Sequence, residues 1–200
     1  AHDHEEYGSP YDLSTLRTVQ VTGSPLSSEG FRWIYRNVGD VWLASMSGGT
    51  DIIGCFVGGA VTEPVRVGYI QAPALGVSVE SWDSAGLRTE GKGELVVTEP
   101  MPSMPLGLWG DEGGSQYRGS YFDTYPGIWR HGDFIEISEL GIRILGRSDS
   151  TLNRNGIRLG SSDIYAVVES LPEVLEAMVI GAEIGDEDYY MPLFVHLSDG

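Results

Sequence analysis

The sequence is poor in two residue types on which common protein functions depend. Its 200 residues include one cysteine, Cys55, and one lysine, Lys92. A single cysteine excludes an internal disulfide framework and is typical of a reducing compartment. The formal net charge of −17 argues against nucleic acid as a partner, because phosphate backbones are bound by clustered Lys and Arg.

Long apolar runs are also missing. No stretch reaches the roughly 18 apolar residues of a membrane-spanning helix, so we expect no membrane partner. Residues 1–6 are acidic and lack the apolar core of a secretory signal, so we expect a cytoplasmic protein. The densest group of arginines lies between Arg130 and Arg158, which suggests one site for a small anionic ligand. The acidic remainder is equally explained as a surface that favours solubility.

The first third of the chain has the pattern of a βαβ unit. Residues 16–21 and 41–46 are apolar runs that predict strands. Between them, Ser27 or Ser28 can cap a helix whose apolar residues follow helical spacing. The residues after each strand, Gly23-Ser24-Pro25 and Ser47-Gly48-Gly49-Thr50-Asp51, are predicted loops and therefore natural ligand positions.

The rest of the chain consists of two regions with different sequence patterns. Residues 58–137 contain short apolar runs separated by Gly, Pro and Asp, which predict antiparallel β structure, with an exposed loop at 107–127. From Ile142, a strand, a loop at 146–149, a helix at 162–171 and strands at 174–181 and 191–197 predict a small α+β domain. We expect this domain to continue past Gly200, because its sheet would otherwise be half covered.

The most informative residues lie near the predicted boundary between these regions. In Trp129-Arg-His-Gly-Asp133, a glycine that permits a tight turn precedes a carboxylate able to accept both hydroxyls of a ribose. Arg147 and Arg158 are cationic forks suited to ribose or phosphate oxygens. Each feature alone is commonly a plain turn or a solvated surface residue.

Together, these residues resemble the adenylate-forming superfamily, which includes acyl-CoA synthetases, adenylation domains and luciferases. The stretch from Gly146-Arg-Ser-Asp149 to Arg158 resembles its hinge motif, and Trp129–Asp133 resembles its Tyr/Trp-x-Thr-Gly-Asp motif. The resemblance runs from about Leu16 to Gly200. It implies a mixed α/β and β fold, in which residues 1–147 are the C-terminal part of the large domain, a βαβ unit plus a distorted antiparallel β-barrel. Residues 148–200 would begin the small mobile lid domain.

The two loops of the βαβ unit also resemble family motifs. Gly23-Ser24-Pro25 is similar to the turn that lies against the adenine, and Gly49-Thr50-Asp51 to the x-Thr-Glu motif. In that motif, the threonine touches the α-phosphate and the acid helps to hold Mg²⁺, for which a hard carboxylate oxygen is a suitable ligand. Asp51 departs from the pattern by being shorter than the usual Glu.

Within the superfamily, the phrases Ser-Gly-Gly-Thr-Asp-Ile and Trp-Arg-His-Gly-Asp-Phe are similar to the acetoacetyl-CoA synthetase branch. In acetyl-specific relatives, a tryptophan two residues before the motif threonine shortens the acyl pocket. Gly48 stands at that position here, which leaves room for a longer acid. The implied activity is ATP-dependent ligation of acetoacetate, or a similar short acid, to coenzyme A through an acyl-adenylate, with release of AMP and pyrophosphate.

The resemblance also implies roles for the hinge segment. Asp149 would be the hinge about which the small domain rotates between half-reactions, and Asn155 and Gly156 would lie beside the pantetheine arm of coenzyme A. The family's phosphate-binding loop and its C-terminal catalytic lysine are not among these residues, and Lys92, in a predicted turn, is neither. We therefore expect this piece alone to be inactive.

Three alternatives remain open at the level of sequence. A carrier-protein-loading adenylation domain would share the same motifs and transfer the acyl group to a protein-bound arm. An AMP-binding piece without turnover would keep the nucleotide site alone. A structural protein without ligands would leave the combination of Asp133 with Gly146–Asp149 unexplained. The sequence makes no prediction about oligomeric state.

Overall fold

The computed structural model describes residues 11–149, 152–154, 157–159, 161–168, 170–184 and 188–198. The described residues separate into two compact units, with divisions between Asp12 and Leu13 and between Ile144 and Leu145. We call Leu13–Ile144 the large unit and the described residues from Leu145 onward the small unit. The predicted domain division after Arg147 lies a few residues further along the chain.

The large unit begins with the predicted βαβ arrangement. Ser27 caps the helix, because its hydroxyl accepts a hydrogen bond from the N–H of Gly30 at 3.1 Å. Phe31 and Ile34 lie on the buried face of the helix and pack with Leu43 of the second strand. The two strands are parallel, as a helical crossover requires. The elements are β1 (Thr18–Val21), α1 (Ser28–Asn37) and β2 (Trp42–Ser45).

Two further sheets follow, and the predicted antiparallel texture is confirmed. One sheet has the order β3-β4-β5 and the other β6-β7-β8-β9. Their strands are β3 (Ser47–Gly49), β4 (Gly54–Gly58), β5 (Ala72–Pro73), β6 (Val79–Trp82), β7 (Lys92–Val97), β8 (Trp129–Ser138) and β9 (Gly141–Arg147). A short helix, α2 (Ser115–Tyr121), lies between β7 and β8.

The expected β-barrel is not closed in residues 13–144. β5 is two residues long and ends at Pro73, which lacks the N–H that a further strand would require. Only the isolated antiparallel bridge between Ile70 and Ile142 extends the pairing from this region to β9. The open sheets still enclose a core whose fully buried members include Phe56, Leu95 and Trp129.

The small unit is built from short paired strands around one helix. The predicted helix ends earlier than residue 171, and two hairpins were not predicted. The sheets pair β10 with β11, β12 with β15 and β13 with β14, all antiparallel. The elements are β10 (Leu152–Arg154), β11 (Ile157–Leu159), α3 (Ser161–Val168), β12 (Val174–Val179), β13 (Ala182–Ile184), β14 (Asp188–Tyr190) and β15 (Leu193–Leu197).

Other local predictions differ from the structure. Residues 47–49 form β3 instead of a loop, and β9 includes Gly146 and Arg147, the first two residues of the predicted loop. Lys92 begins β7 and is not in a turn, and residues 115–121 form α2 inside the predicted loop. Across the described residues no helix combines the length and apolar character needed to cross a membrane, and the longest, α1, has ten residues.

Candidate nucleotide-binding site

The parallel strands β1 and β2 end at the same edge of their sheet. The predicted motifs Gly23–Pro25 and Ser47–Asp51 follow these two strand ends. Gly23 and Ser24 follow β1, and the chain leaves β2 at the same edge, where the N–H of Met46 donates to the carbonyl of Val21 at 2.9 Å. Gly23 has a φ of +92°, which favours glycine, and a Cβ there would meet no atom within 4 Å. Gly23, Ser24 and Pro25 therefore form an exposed turn with open space beside it.

Gly48 is held closely against the neighbouring strand. A Cβ at this position would lie 2.0 Å from the carbonyl oxygen of Gly54 and 2.7 Å from Cα of Cys55. The β3–β4 pairing shifts register between Ser47 and Gly48, which brings the backbones together. Strand pairing therefore requires glycine here irrespective of any acyl pocket. The role of Gly48 in the pocket stays a prediction, and replacement by tryptophan would disturb the strands before it tested the pocket.

Gly49 lies against β8, the strand that carries the Trp129–Asp133 motif. A Cβ on Gly49 would lie 2.9 Å from Cε1 of His131 in β8. Thr50 and Asp51 follow in an exposed turn. The loop predicted to meet the phosphates and the strand that carries Asp133 therefore lie side by side, although they are some 80 residues apart in the sequence.

The Asp51 carboxylate accepts a hydrogen bond from the hydroxyl of Tyr121, the last residue of α2. The ring of Tyr121 in turn stacks on Trp129, with centroids 3.7 Å apart and an interplanar angle of 12°. Trp129 is 1% exposed and belongs to the core. This series of contacts gives the exposed Asp51 side chain a preferred orientation.

The start of α2 is fixed by the carboxylate of Asp111. It accepts hydrogen bonds from the N–H groups of Tyr117 at 2.8 Å and Gln116 at 3.1 Å. The bond from Tyr117 is the largest cause of a lowered pKa for Asp111. Burial raises the pKa of the Tyr117 phenol, whose hydroxyl donates to the carbonyl of Pro105 at 2.5 Å. The first turn of the helix that presents Tyr121 is thus anchored by both contacts.

Asp133 lies within β8, and the predicted tight turn at Gly132-Asp133 is wrong. Gly132 has a φ of +88°, and the pairing of β7 with β8 shifts register between Glu94 and Val96. The glycine is therefore part of an irregularity within a ten-residue strand, which alters the direction of the side chains that follow. The Asp133 side chain is largely buried, and its Oδ2 lies 3.6 Å from Nε2 of His131.

Glu94 fixes this irregularity from the neighbouring strand. Its carboxylate accepts a hydrogen bond from the N–H of Gly132 at 3.1 Å and lies 3.2 Å from Nε of Arg130. Glu94 is 8% exposed, and a buried carboxylate needs such partners to offset its lost hydration. Glu94, His131 and Tyr121 are the residues that sequence reasoning missed. The acid within the apolar run 94–97 was the one available signal for a paired buried charge.

Arg147 and Asp149 form an ion pair in the small unit. Nε of Arg147 donates to Oδ1 of Asp149 at 2.8 Å, and a second guanidinium nitrogen contacts Oδ2. Both side chains are about half exposed. Arg158 lies in β11 opposite Asn153, and its side chain is outside the described part of the chain. Asn155 and Gly156 also lie outside the described residues.

The described carboxylates could hold Mg²⁺ only together with the phosphates of a bound substrate. Among the described residues, no group of three or more His, Cys, Asp or Glu side chains is arranged to hold a metal ion. Mg²⁺ commonly keeps several waters and takes one or two carboxylates together with substrate phosphates. The single oriented carboxylate of Asp51 suits that type of site.

No protein-family model matches the chain. An acetoacetyl-coenzyme A synthetase of Rhizobium meliloti (strain 1021) is 49% identical over 95% of this chain and 30% of its own length. The structure of an acetoacetyl-CoA synthetase from Streptomyces lividans is 53% identical, with a TM-score of 0.81 over 96% of this chain and 29% of that one. A benzoate CoA ligase from Burkholderia xenovorans LB400, 22% identical with a TM-score of 0.73 over 95% of this chain and 37% of its own, shares the fold.

The chain shares the fold of part of the adenylate-forming CoA ligases, as its motifs predicted. Over most of its length it is similar to acetoacetyl-CoA synthetases, at 40–49% identity for the curated ones. The chain spans about 30% of the length of these curated relatives.

Proposed function

We propose that the full-length protein ligates acetoacetate to coenzyme A in two half-reactions that use ATP, and that this piece carries the adenine and ribose side of the site and the hinge. One observation carries the proposal: Gly49, which precedes Thr50, packs against His131, two residues before Asp133. The predicted phosphate-side and ribose-side residues are thus held in one region of the large unit.

In the first half-reaction, a carboxylate oxygen of acetoacetate attacks the α-phosphorus of ATP. The new P–O bond forms as the bond to pyrophosphate breaks, which leaves acetoacetyl-AMP. Asp133 accepts hydrogen bonds from the ribose hydroxyls, the turn at Gly23–Pro25 lies against the adenine, and Thr50 donates to the α-phosphate. Mg²⁺, held by Asp51 together with the phosphates, would neutralise charge on the transferring group. The protein acts mainly by positioning.

In the second half-reaction, the thiol of coenzyme A attacks the acyl carbonyl, AMP leaves with the bonding electrons, and the thiol loses its proton. Asp149 is the hinge at which the backbone rotates to admit coenzyme A, and Asn155 and Gly156 lie beside its pantetheine arm. Arg147 and Arg158 contact the ribose or phosphate oxygens of the nucleotide. The single cysteine and the lack of apolar runs favour a cytoplasmic location.

Exchange of labelled pyrophosphate into ATP tests the proposal. The full-length protein is assayed over acetate, acetoacetate, butyrate and benzoate, followed by assays of acyl-CoA formation and of acyl transfer to a carrier protein. We expect the highest exchange with acetoacetate, and acyl-CoA as the product. Exchange followed by loading of a carrier protein alone would indicate the carrier-loading alternative. Nucleotide binding without exchange for any acid would contradict ligase activity.

A further inference from the structure

His131 lies between two parts of the candidate site, and no role was predicted for it, although it lies within the Trp129–Asp133 motif. Its side chain is 11% exposed. Its ring contacts the ring of Phe56, with centroids 4.4 Å apart and an interplanar angle of 57°. Cε1 occupies the space that a side chain on Gly49 would fill, and Nε2 lies 3.6 Å from Oδ2 of Asp133.

The surroundings fix the imidazole in this place. Phe56 is fully buried in β4, which pairs directly with the β3 strand that carries Gly49. On the other side, Glu94 binds both Arg130 and the N–H of Gly132, the two neighbours of His131 in the chain. A close-packed side chain of this kind transmits a displacement to what it touches, because interiors leave little space for relaxation.

We infer that His131 is a positioning residue, which sets the separation between the Thr50 loop and the carboxylate of Asp133. This inference rests on the proposed function, in which these two parts hold the α-phosphate side and the ribose of one nucleotide. The glycine at position 49 and the imidazole are complementary, since the absence of a side chain at one position makes room for the ring at the other. The family pattern has threonine at the position of His131, so the pairing of Gly49 with a histidine distinguishes this chain from that pattern.

A double-mutant cycle in the full-length protein tests the inference. The variants are Gly49→Ala, His131→Ala and the double variant, with the exposed His196→Ala of β15 as a matched control. We expect each single change at the site to raise the KM for ATP in pyrophosphate exchange by about tenfold, because displacement near 1 Å is costly in a positioned site. The double variant should be no worse than the poorer single variant, since the added methyl group no longer meets the ring.

Separate measurement of KM and kcat distinguishes a positioning role of His131 from a contribution to protein stability. A merely structural role would lower the amount of active protein, and hence the apparent kcat and the melting temperature, with an unchanged KM for ATP. Additive losses in the cycle, or a folded His131→Ala protein with normal KM, would overturn the inference. If the alanine variant does not fold, His131→Asn, which retains part of the volume, replaces it and is expected to raise the KM by a smaller factor. A wild-type protein without exchange would instead overturn the proposed function.

Discussion

The large and small units hold their candidate functional residues in different ways. In the large unit, Asp133 is 6% exposed, and the strand that carries it is fixed by the buried Glu94, 39 positions earlier. In the small unit, Arg147 and Asp149 are about half exposed and pair with each other two residues apart. The proposed ribose side is therefore organised by long-range packing, whereas the proposed hinge segment carries a local, solvent-exposed ion pair that costs little to break and re-form.

This difference fits a division of labour. A nucleotide is bound best by groups that are already in place, since ordering them on binding would reduce affinity. A hinge needs backbone freedom, and an exposed ion pair that breaks at little cost does not oppose rotation of the backbone. Changes in the large unit should consequently affect nucleotide binding, and changes at the hinge should affect the balance between the two half-reactions.

The largest effect on binding is expected at Asp133. Asp133→Ala removes one or two charge-assisted hydrogen bonds to the ribose, each contributing about 1.5–3 kcal/mol. Calorimetric titration of the full-length protein with ATP should show an affinity at least about tenfold lower. Asp133→Asn keeps the shape of the buried side chain and serves as the matched variant. Unchanged ATP affinity in a folded protein would disprove the ribose assignment.

A smaller loss, shared between folding and binding, is expected at Glu94. Glu94→Ala removes the acceptor used by the N–H of Gly132 and by Arg130, which should destabilise the protein by about 1–3 kcal/mol. Denaturant unfolding measures the stability, and the KM for ATP measures the consequence for Asp133. Glu94→Gln retains one acceptor and should recover most of the KM. If glutamine is no better than alanine in both measurements, Glu94 does not act through Gly132.

Tyr121→Phe should produce a modest change that is confined to the metal-dependent step. The phenyl ring can keep its stack on Trp129, whereas the hydrogen bond to the exposed Asp51 is lost, at a cost of about 0.5–1.5 kcal/mol. Exchange activity as a function of Mg²⁺ concentration should shift to higher Mg²⁺ by a few fold. Tyr121→Leu, which also removes the aromatic stack, is expected to be worse. An identical Mg²⁺ dependence in wild-type and Phe variants would show that the Tyr121 hydroxyl does not orient Asp51 for metal binding.

The smallest expected effect is the pH dependence of α2. The folded-state pKa of Asp111 is lowered, so its stabilisation of the helix is fully present above the unfolded value of about 3.9 and is lost as pH falls through the lower folded value. The protection of the Gln116 and Tyr117 amides, taken as their hydrogen-exchange rate relative to the intrinsic rate at each pH, should therefore fall in acid in the wild-type protein. Asp111→Ala should exchange faster already at pH 7 and respond less to acid. Equal protection in both proteins would exclude this capping role.

Local pattern was sufficient for part of the fold. Helical spacing around Phe31 and Ile34, a serine cap and flanking apolar runs predicted β1, α1 and β2, because each signal lies within a few residues of the element that it specifies. Helix α2 was missed, since it is short, contains Gly119 and two tyrosines of ordinary helix propensity, and takes its N-terminal acceptor from Asp111, four residues upstream.

Sequence reasoning could name candidate site residues but not their geometry. The resemblance to family motifs indicated Thr50, Asp51 and Asp133, and the roles that it implies for them stay predictions. The course of β8 was not accessible, because the irregularity at Gly132 depends on Glu94, 38 residues away in the chain. The contact of Gly49 with His131 is equally non-local, and so no spacing in the sequence could show why position 49 is glycine.

Asp149→Pro in the full-length protein tests the division between the two units most directly. Proline fixes φ near −65° and removes the freedom that a hinge requires. Pyrophosphate exchange and acetoacetyl-CoA formation should be measured on one preparation, with Asp133→Ala as the comparison. The account predicts that Asp149→Pro retains much of its exchange and loses acyl-CoA formation, whereas Asp133→Ala loses exchange. Parallel losses of both half-reactions in Asp149→Pro would contradict the hinge and the separate roles of the two units.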